Sequence, residues 1–202
     1  MDCIVSFDGP KATGKTTLIG AILRRLHAEG KTAEVLVEKD AMPAEMQEQL
    51  SVLYAQYRAS PGRTTDQVIA DALRAGRQVI SAQRLAGASG IVLLDRWYPS
   101  EAVFRRYLNP DVVIAANLAA RVTLPDLCIA LVCEPTLSWR RAHERDRSLD
   151  SKVIADYAGH RLASLRFDAA ARKAGWLVMA SDHTGPEVLA DNVCRAIAQH
   201  AR

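Results

Sequence analysis

Five short stretches of the chain carry almost no polar side chains: CIVSF (3–7), AEVLV (33–37), IVLL (91–94), LCIALVC (127–133) and WLVMA (176–180). Continuous rather than alternating hydrophobicity is what a strand covered on both faces requires. Between these runs the period changes. Leu18, Ile22, Leu23 and Leu26 recur at helical spacing and Gly30 supplies a stop, while Leu189, Val193, Ala196 and Ile197 do the same after Pro186, suited to a first helical position. Strand, helix, strand, repeated, predicts an α/β fold: a five-stranded parallel sheet joined by right-handed crossovers, with helices on both faces. The polar stretch RASPGRTT (58–65) predicts a loop between two helices and RDRSLDS (145–151) a mobile surface segment. Neither is long enough to separate one domain from another, so residues 1–202 read as a single domain. In such open sheets ligands bind beyond the carboxyl ends of the strands, which makes the residues after each apolar run the ones of interest.

Composition narrows the class. With 202 residues, 49% hydrophobic and 24% charged, the chain matches ordinary globular proteins, and no apolar window is long enough to span a bilayer. A net charge of +3 does not point to nucleic acid. Arg140, Arg141, Arg145 and Arg147 crowd into one segment, and planar guanidinium groups suit phosphate or carboxylate. Cys3, Cys128, Cys133 and Cys194 form no C-x-x-C pair and read as buried free thiols, not as a disulfide or metal framework. Because Cys3 to Asp8 already reads as a core strand, no cleaved signal is expected, and the expected compartment is the cytoplasm.

The first apolar run leads into FDGPKATGKTT (7–17), which satisfies G-x-x-x-x-G-K-[ST] between a strand and an amphipathic helix. Here Gly9, Pro10, Lys11, Ala12, Thr13, Gly14, Lys15, Thr16 and Thr17 would cradle ATP. Backbone N–H groups and the helix N-terminus face the phosphates, Lys15 reaches the outer phosphates and the Thr16 hydroxyl ligates Mg²⁺. After the third run, Asp95 can hold Mg²⁺ and Arg96 can clamp an acceptor's phosphate; alone, such a pair would equally cap a helix. Arg141 and Arg145 lie i,i+4 on one helix face and Arg147 follows. They read either as a solvated face, partly neutralised by Glu144, Asp146 and Asp150, or as a lid spanning about 140–151 that stabilises the transferring phosphoryl group.

Taken together these elements resemble the thymidylate kinases, nucleoside-monophosphate kinases of the P-loop class, from Met1 to about residue 200. LYAQYR (53–58) is similar to the family's L-F-A-x-x-R, DRWYPSEAVF (95–104) to its D-R-Y-x-x-S-x-x-A-Y, LPDLCIALVCEP (124–135) to its L-x-P-D-L-x-x-x-L-x-x-x-P, and RAHER (141–145) to its lid pattern. The resemblance implies a three-layer P-loop kinase fold, ATP and Mg²⁺ as cosubstrate and cofactor, and a homodimer. It also implies that Tyr54 stacks on the acceptor base, that Arg58 bonds the pyrimidine edge, and that Lys39, Arg96, Ser100, Glu101 and Phe104 line the acceptor site. Lys11 stands where the family has an acidic residue near the sugar, Glu101 at a neutral polar position and Phe104 at a tyrosine. EKDAMP (38–43) replaces R-E-P-G-G-T.

The reading is therefore Mg·ATP-dependent phosphorylation of a nucleoside monophosphate, dTMP or a related pyrimidine nucleotide. Two alternatives stand beside it: a diverged kinase on another small molecule, and a nucleotide-binding switch without turnover. The implied partner is a small nucleotide acceptor, with neither nucleic acid nor membrane.

Overall fold

The computed structural model describes residues 2–144, 153–154 and 156–200. Five strands form the sheet: β1 (Cys3–Asp8), β2 (Ala33–Val37), β3 (Ile91–Asp95), β4 (Leu127–Val132) and β5 (Leu177–Ala180). The helices are α1 (Lys15–Ala28), α2 (Glu38–Ala41), α3 (Ala44–Ala59), α4 (Arg63–Ile80), α5 (Glu101–Phe104), α6 (Pro110–Ala119), α7 (Pro135–Glu144), α8 (Tyr157–Lys173) and α9 (Pro186–His200). A π-helical turn at Ser81–Leu85 prolongs α4, and a 3₁₀ turn at Tyr98–Ser100 leads into α5.

All strand pairs are parallel, in the order β2-β3-β1-β4-β5. The expected five-stranded parallel sheet is present. Expected burial on both faces holds for β1, β3 and β4, but the edge strands are more open: β2 exposes Glu34 and Val35, and β5 exposes Leu177 and Ala180. An edge strand has a covering neighbour on one side only.

The two faces carry separate cores. Phe7, Leu18, Ile22, Leu26, Ile129, Leu131, Val193 and Ile197 join α1 and α9 to one face. On the other, Leu36, Ile69, Leu94, Trp97, Ala130 and Phe167 gather α3, α4, α5 and α8. The polar stretch 58–65 is mostly helical, and its loop shrinks to residues 60–62. The Thr65 hydroxyl accepts from Gly62 N at 3.2 Å and donates to Gly62 O, so a threonine expected in the loop closes the first turn of α4. Among the described residues no helix is long and apolar enough to cross a membrane. The four cysteines are free thiols, with Cys3, Cys133 and Cys194 buried.

Strand register builds the site. Phe7 pairs with Asp95 on one side and Ile129 on the other, and Val37 pairs with Asp95 in turn. Gly9, Arg96 and Glu38, each next beyond its strand or pair, are thereby carried to one end of the sheet.

Candidate active site

The phosphate loop turns on backbone conformations that glycine supplies. Gly9 has φ 143°, and a Cβ there would stand 2.3 Å from the Leu131 carbonyl oxygen of β4, so only glycine lets the loop lie this close to the sheet. Gly14 at φ 96° opens α1, and Ala12 takes φ 59° between them. The Thr13 hydroxyl donates to Pro10 O at 3.1 Å, and Ser181 Oγ, just beyond β5, donates to Thr13 O at 2.8 Å. The loop is thus stitched shut on itself and to the far side of the sheet.

Lys15 is 6% exposed, and its Nζ donates to Gly9 O at 3.0 Å and Pro10 O at 2.6 Å. Burial, with Arg96 nearby, pulls its amine well below the usual lysine range, while Asp95 and Asp8 oppose the shift. A buried ammonium satisfied by two carbonyls and flanked by cations is poised to meet an anion. Thr16 and Thr17 are exposed at the start of α1 and Asp95 is half-buried across the loop, leaving hydroxyl and carboxylate oxygen accessible. Hard oxygen donors on a phosphate loop suit Mg²⁺, which is held by one or two protein oxygens together with phosphates. Lys11 is half-buried, close enough to depress the Lys15 amine further.

Arg96 joins the phosphate loop to a cavity. Its backbone is at φ 73°, a left-handed conformation costing a non-glycine residue about 1–3 kcal/mol. Its N donates to Phe7 O at 3.1 Å, its Nη1 to Gly9 O at 3.0 Å, and its guanidinium lies 4.9 Å from the Phe104 ring centroid. Beneath it, Asp8 Oδ1 accepts from Trp97 N at 2.9 Å and Ser100 Oγ at 2.6 Å, whereas buried Oδ2 has no hydrogen-bond partner. Burial raises the Asp8 carboxyl to about 6, against the opposing hydrogen bonds from Ser100 and Trp97.

One space is a cavity of about 270 Å³ lined by Lys39, Tyr54, Arg96, Ser100, Glu101 and Phe104, among others. Six of the eight residues expected at the acceptor are therefore together. Lys11 is not on this lining, and Arg58 is exposed near the end of α3 while Tyr57 turns inward. Arg58 stands i,i+4 from Tyr54, a spacing that shares a helix face, yet it is exposed at the last turn of α3 while Tyr57 is buried.

A second space of about 490 Å³ runs between Ala12, Thr13, Gly14 and Thr17 and the segment after β5, residues 181–186. Arg141 of α7 borders it, donating from Nη2 to Ser181 O at 3.2 Å. Arg145 and Arg147 fall outside the described residues.

Several groups escaped the sequence reading. Arg77 is fully buried and donates to Glu38 Oε1 at 2.6 Å, Glu101 Oε1 at 2.7 Å and Asn117 Oδ1 at 3.1 Å. Arg105 lies within 3.1 Å of Glu101 Oε2 and 3.1 Å of Asp66 Oδ1. The i,i+4 spacing of Glu101 and Arg105 inside an otherwise apolar stretch was the available signal.

Comparison with known proteins fits this geometry. The family model for thymidylate kinase matches residues 7–192. The chain belongs to the thymidylate kinase family. It is 27% identical to the thymidylate kinase of Geotalea uraniireducens (strain Rf4), over 95% of this chain and 89% of that protein. It is 26% identical to that of Bacillus cereus (strain Q1), over 78% of this chain and 77% of the relative. Membership in the thymidylate kinase family makes it a nucleotide kinase, of a family that phosphorylates dTMP with ATP and Mg²⁺.

Proposed function

We propose that this chain transfers the γ-phosphoryl group of Mg·ATP to a pyrimidine nucleoside monophosphate, dTMP foremost, giving the diphosphate and ADP. The observation that carries the proposal is the position of Arg96, bonded to the phosphate loop at Gly9 O and lining the 270 Å³ cavity next door. A donor phosphate chain on the loop and an acceptor phosphate in the cavity would both meet this guanidinium.

Each residue then has a task. The loop N–H groups and Lys15 bind the ATP phosphates, and Lys15 exchanges its two carbonyl partners for phosphate oxygens. Thr16 and Asp95 would hold Mg²⁺, which neutralises charge on the phosphates when bound. Arg96 orients the acceptor phosphate, Asp8 fixes Arg96's strand end through Trp97 N, and Ser100 accepts from Arg96 Nη1 at 3.4 Å. The acceptor oxygen is already anionic, so catalysis consists of positioning and charge neutralisation, without a general base. Arg141, with Arg145 and Arg147 beyond it, would supply positive charge from the lid side.

The Tyr54 and Phe104 rings suit a flat base in the cavity. The free thiols accord with the cytoplasm as the compartment. Val112 and Leu118 on α6, 63% and 47% exposed, offer apolar side chains for a homodimer contact.

Coupled measurement of ADP release over a panel of nucleoside monophosphates tests the proposal. Turnover is expected with dTMP, is lost on chelation with EDTA and returns with Mg²⁺. No acceptor-dependent ADP release with any monophosphate would refute it.

A further inference from the structure

The Ser181 hydroxyl sits at a junction of the phosphate loop, the sheet and α7. It lies just beyond β5, lines the space of about 490 Å³ beside the loop, and donates to Thr13 O at 2.8 Å. Val132 O of β4 is farther, at 3.3 Å, and a hydroxyl has one proton, so the shorter contact with the loop takes it. From α7, Arg141 Nη1 donates to Ser181 Oγ at 3.5 Å and Nη2 to Ser181 O at 3.2 Å. A guanidinium only donates, so its approach leaves the hydroxyl proton for Thr13. Ser181 N in turn donates to Val132 O at 3.0 Å, which fixes the residue to the sheet.

The bond from Ser181 lands on a peptide with two polar ends. Thr13 is fully buried, and its carbonyl shares one trans peptide plane with the Gly14 N–H, so the two groups point in opposite directions. Holding the carbonyl toward β5 therefore turns the N–H the other way. Gly14 stands at φ 96° ahead of α1, where N–H groups lack an intrahelical acceptor and glycine's wide conformational range leaves the peptide free to rotate. The Thr13 hydroxyl does not restrain it, being engaged with Pro10 O at 3.1 Å. Among the described residues no group other than the Ser181 hydroxyl donates to Thr13 O.

We propose that Ser181 is a positioning residue for the donor phosphates: its hydroxyl anchors the Thr13–Gly14 peptide so that the Gly14 N–H faces the phosphate cradle. The hydroxyl acts on the phosphates through that peptide and does not touch them. A backbone donor already held in place needs no reordering when the anion arrives, and that is the source of its contribution to affinity. Arg141, bonded to the same hydroxyl, links the anchor to α7. The inference rests on the reading of the loop as an ATP site and deepens it. Direct contact of Ser181 with the donor's base or sugar is the rival role, and fragments of the donor separate the two.

Steady-state kinetics on the full chain with Mg·ATP and dTMP, with tripolyphosphate and adenosine as competitors of ATP, provide the test for wild type, Ser181→Ala and Ser181→Thr. Loss of one neutral hydrogen bond corresponds to about fivefold in binding. Ser181→Ala is expected to raise the ATP KM and the tripolyphosphate inhibition constant by about fivefold, with the adenosine constant and the dTMP KM within about twofold of wild type. Ser181→Thr, which keeps the hydroxyl, is expected to stay within about twofold throughout. An unchanged ATP KM in Ser181→Ala overturns the proposal. So does a rise in the adenosine constant without one for tripolyphosphate, which makes Ser181 a direct contact, or an equal rise in the dTMP KM, which a general loosening of the fold would produce. If Ser181→Ala does not fold, Ser181→Cys, of similar size and with a weak S–H donor, takes its place with the same expected and overturning results. Absence of wild-type turnover with every monophosphate fails the kinase reading itself. Thermal stabilisation by tripolyphosphate, expected to be weaker in Ser181→Ala than in wild type and overturning the proposal if equal, then decides on Ser181.

Discussion

Asp8 takes two donors on Oδ1, but its burial outweighs them in how it titrates. Burial lifts its carboxyl to about 6, above the ordinary value of ~4 for an unfolded chain. With the folded value raised, the contribution to stability is fully present below pH ~4 and is lost as pH rises through about 6, when the buried group must ionise. A shift of that size corresponds to roughly 3 kcal/mol. Between pH 4 and pH 7, Asp8→Asn should therefore gain on the wild type by about that amount, read as unfolding free energy in urea. A difference that stays constant with pH would sink the assignment. At this scale the shape of the phosphate loop was legible, because the conformations of Gly9 and Gly14 and the inward turn of Lys15 follow from neighbours within a few positions. Asp8, Arg77 and Arg105 were not. Arg77 meets Glu38 39 residues earlier and Glu101 24 residues later, and no local pattern records such a meeting.

Helices α2, α4 and α5 are tied together by that buried arginine, and breaking the tie has a cost that surface pairs do not. Removing one partner of a buried ion pair strands charge away from water and costs about 3–5 kcal/mol. Arg77→Ala leaves Glu38 and Glu101 facing each other, so a loss of about that size is expected in chemical denaturation. Arg74, one turn away on α4, pairs with Asp71 at 2.7 Å but is partly exposed, and Arg74→Ala should cost no more than about 1 kcal/mol. Equal losses for the two would contradict the buried network. At the scale of elements the sequence was easy to read: each strand lies within about one residue of its apolar run. The departures have physical causes. Thr65 caps α4 and shortens the loop expected at 58–65, and Arg58, in the last turn of α3, stands exposed while Tyr57 is buried. Polar composition alone does not separate a loop from a solvated helix end.

For the molecule as a whole, two cores on opposite faces of one sheet leave the carboxyl ends of the strands free to build a site with two chambers, one lined by Arg96 and one by the phosphate loop and Arg141. Against this pattern of burial, α6 leaves Val112 and Leu118 outside. If they pair two copies, sedimentation equilibrium will return twice the chain mass, and Val112→Asp with Leu118→Asp will return it once. A single-chain mass for the unaltered protein would remove the dimer. The half-buried Trp139 of α7 adds an optical consequence. Its indole stands 4.9 Å from the His143 ring, 5.7 Å from Tyr157 and 5.6 Å from His160, so it couples α7 to α8 across the stretch that holds Arg145 and Arg147. Imidazoles quench indole emission at such range, so changes at this contact should appear in Trp139 emission over that of Trp97 and Trp176. The chain thus carries its own fluorophore between α7 and α8, and a nucleotide titration can be followed by light without any label.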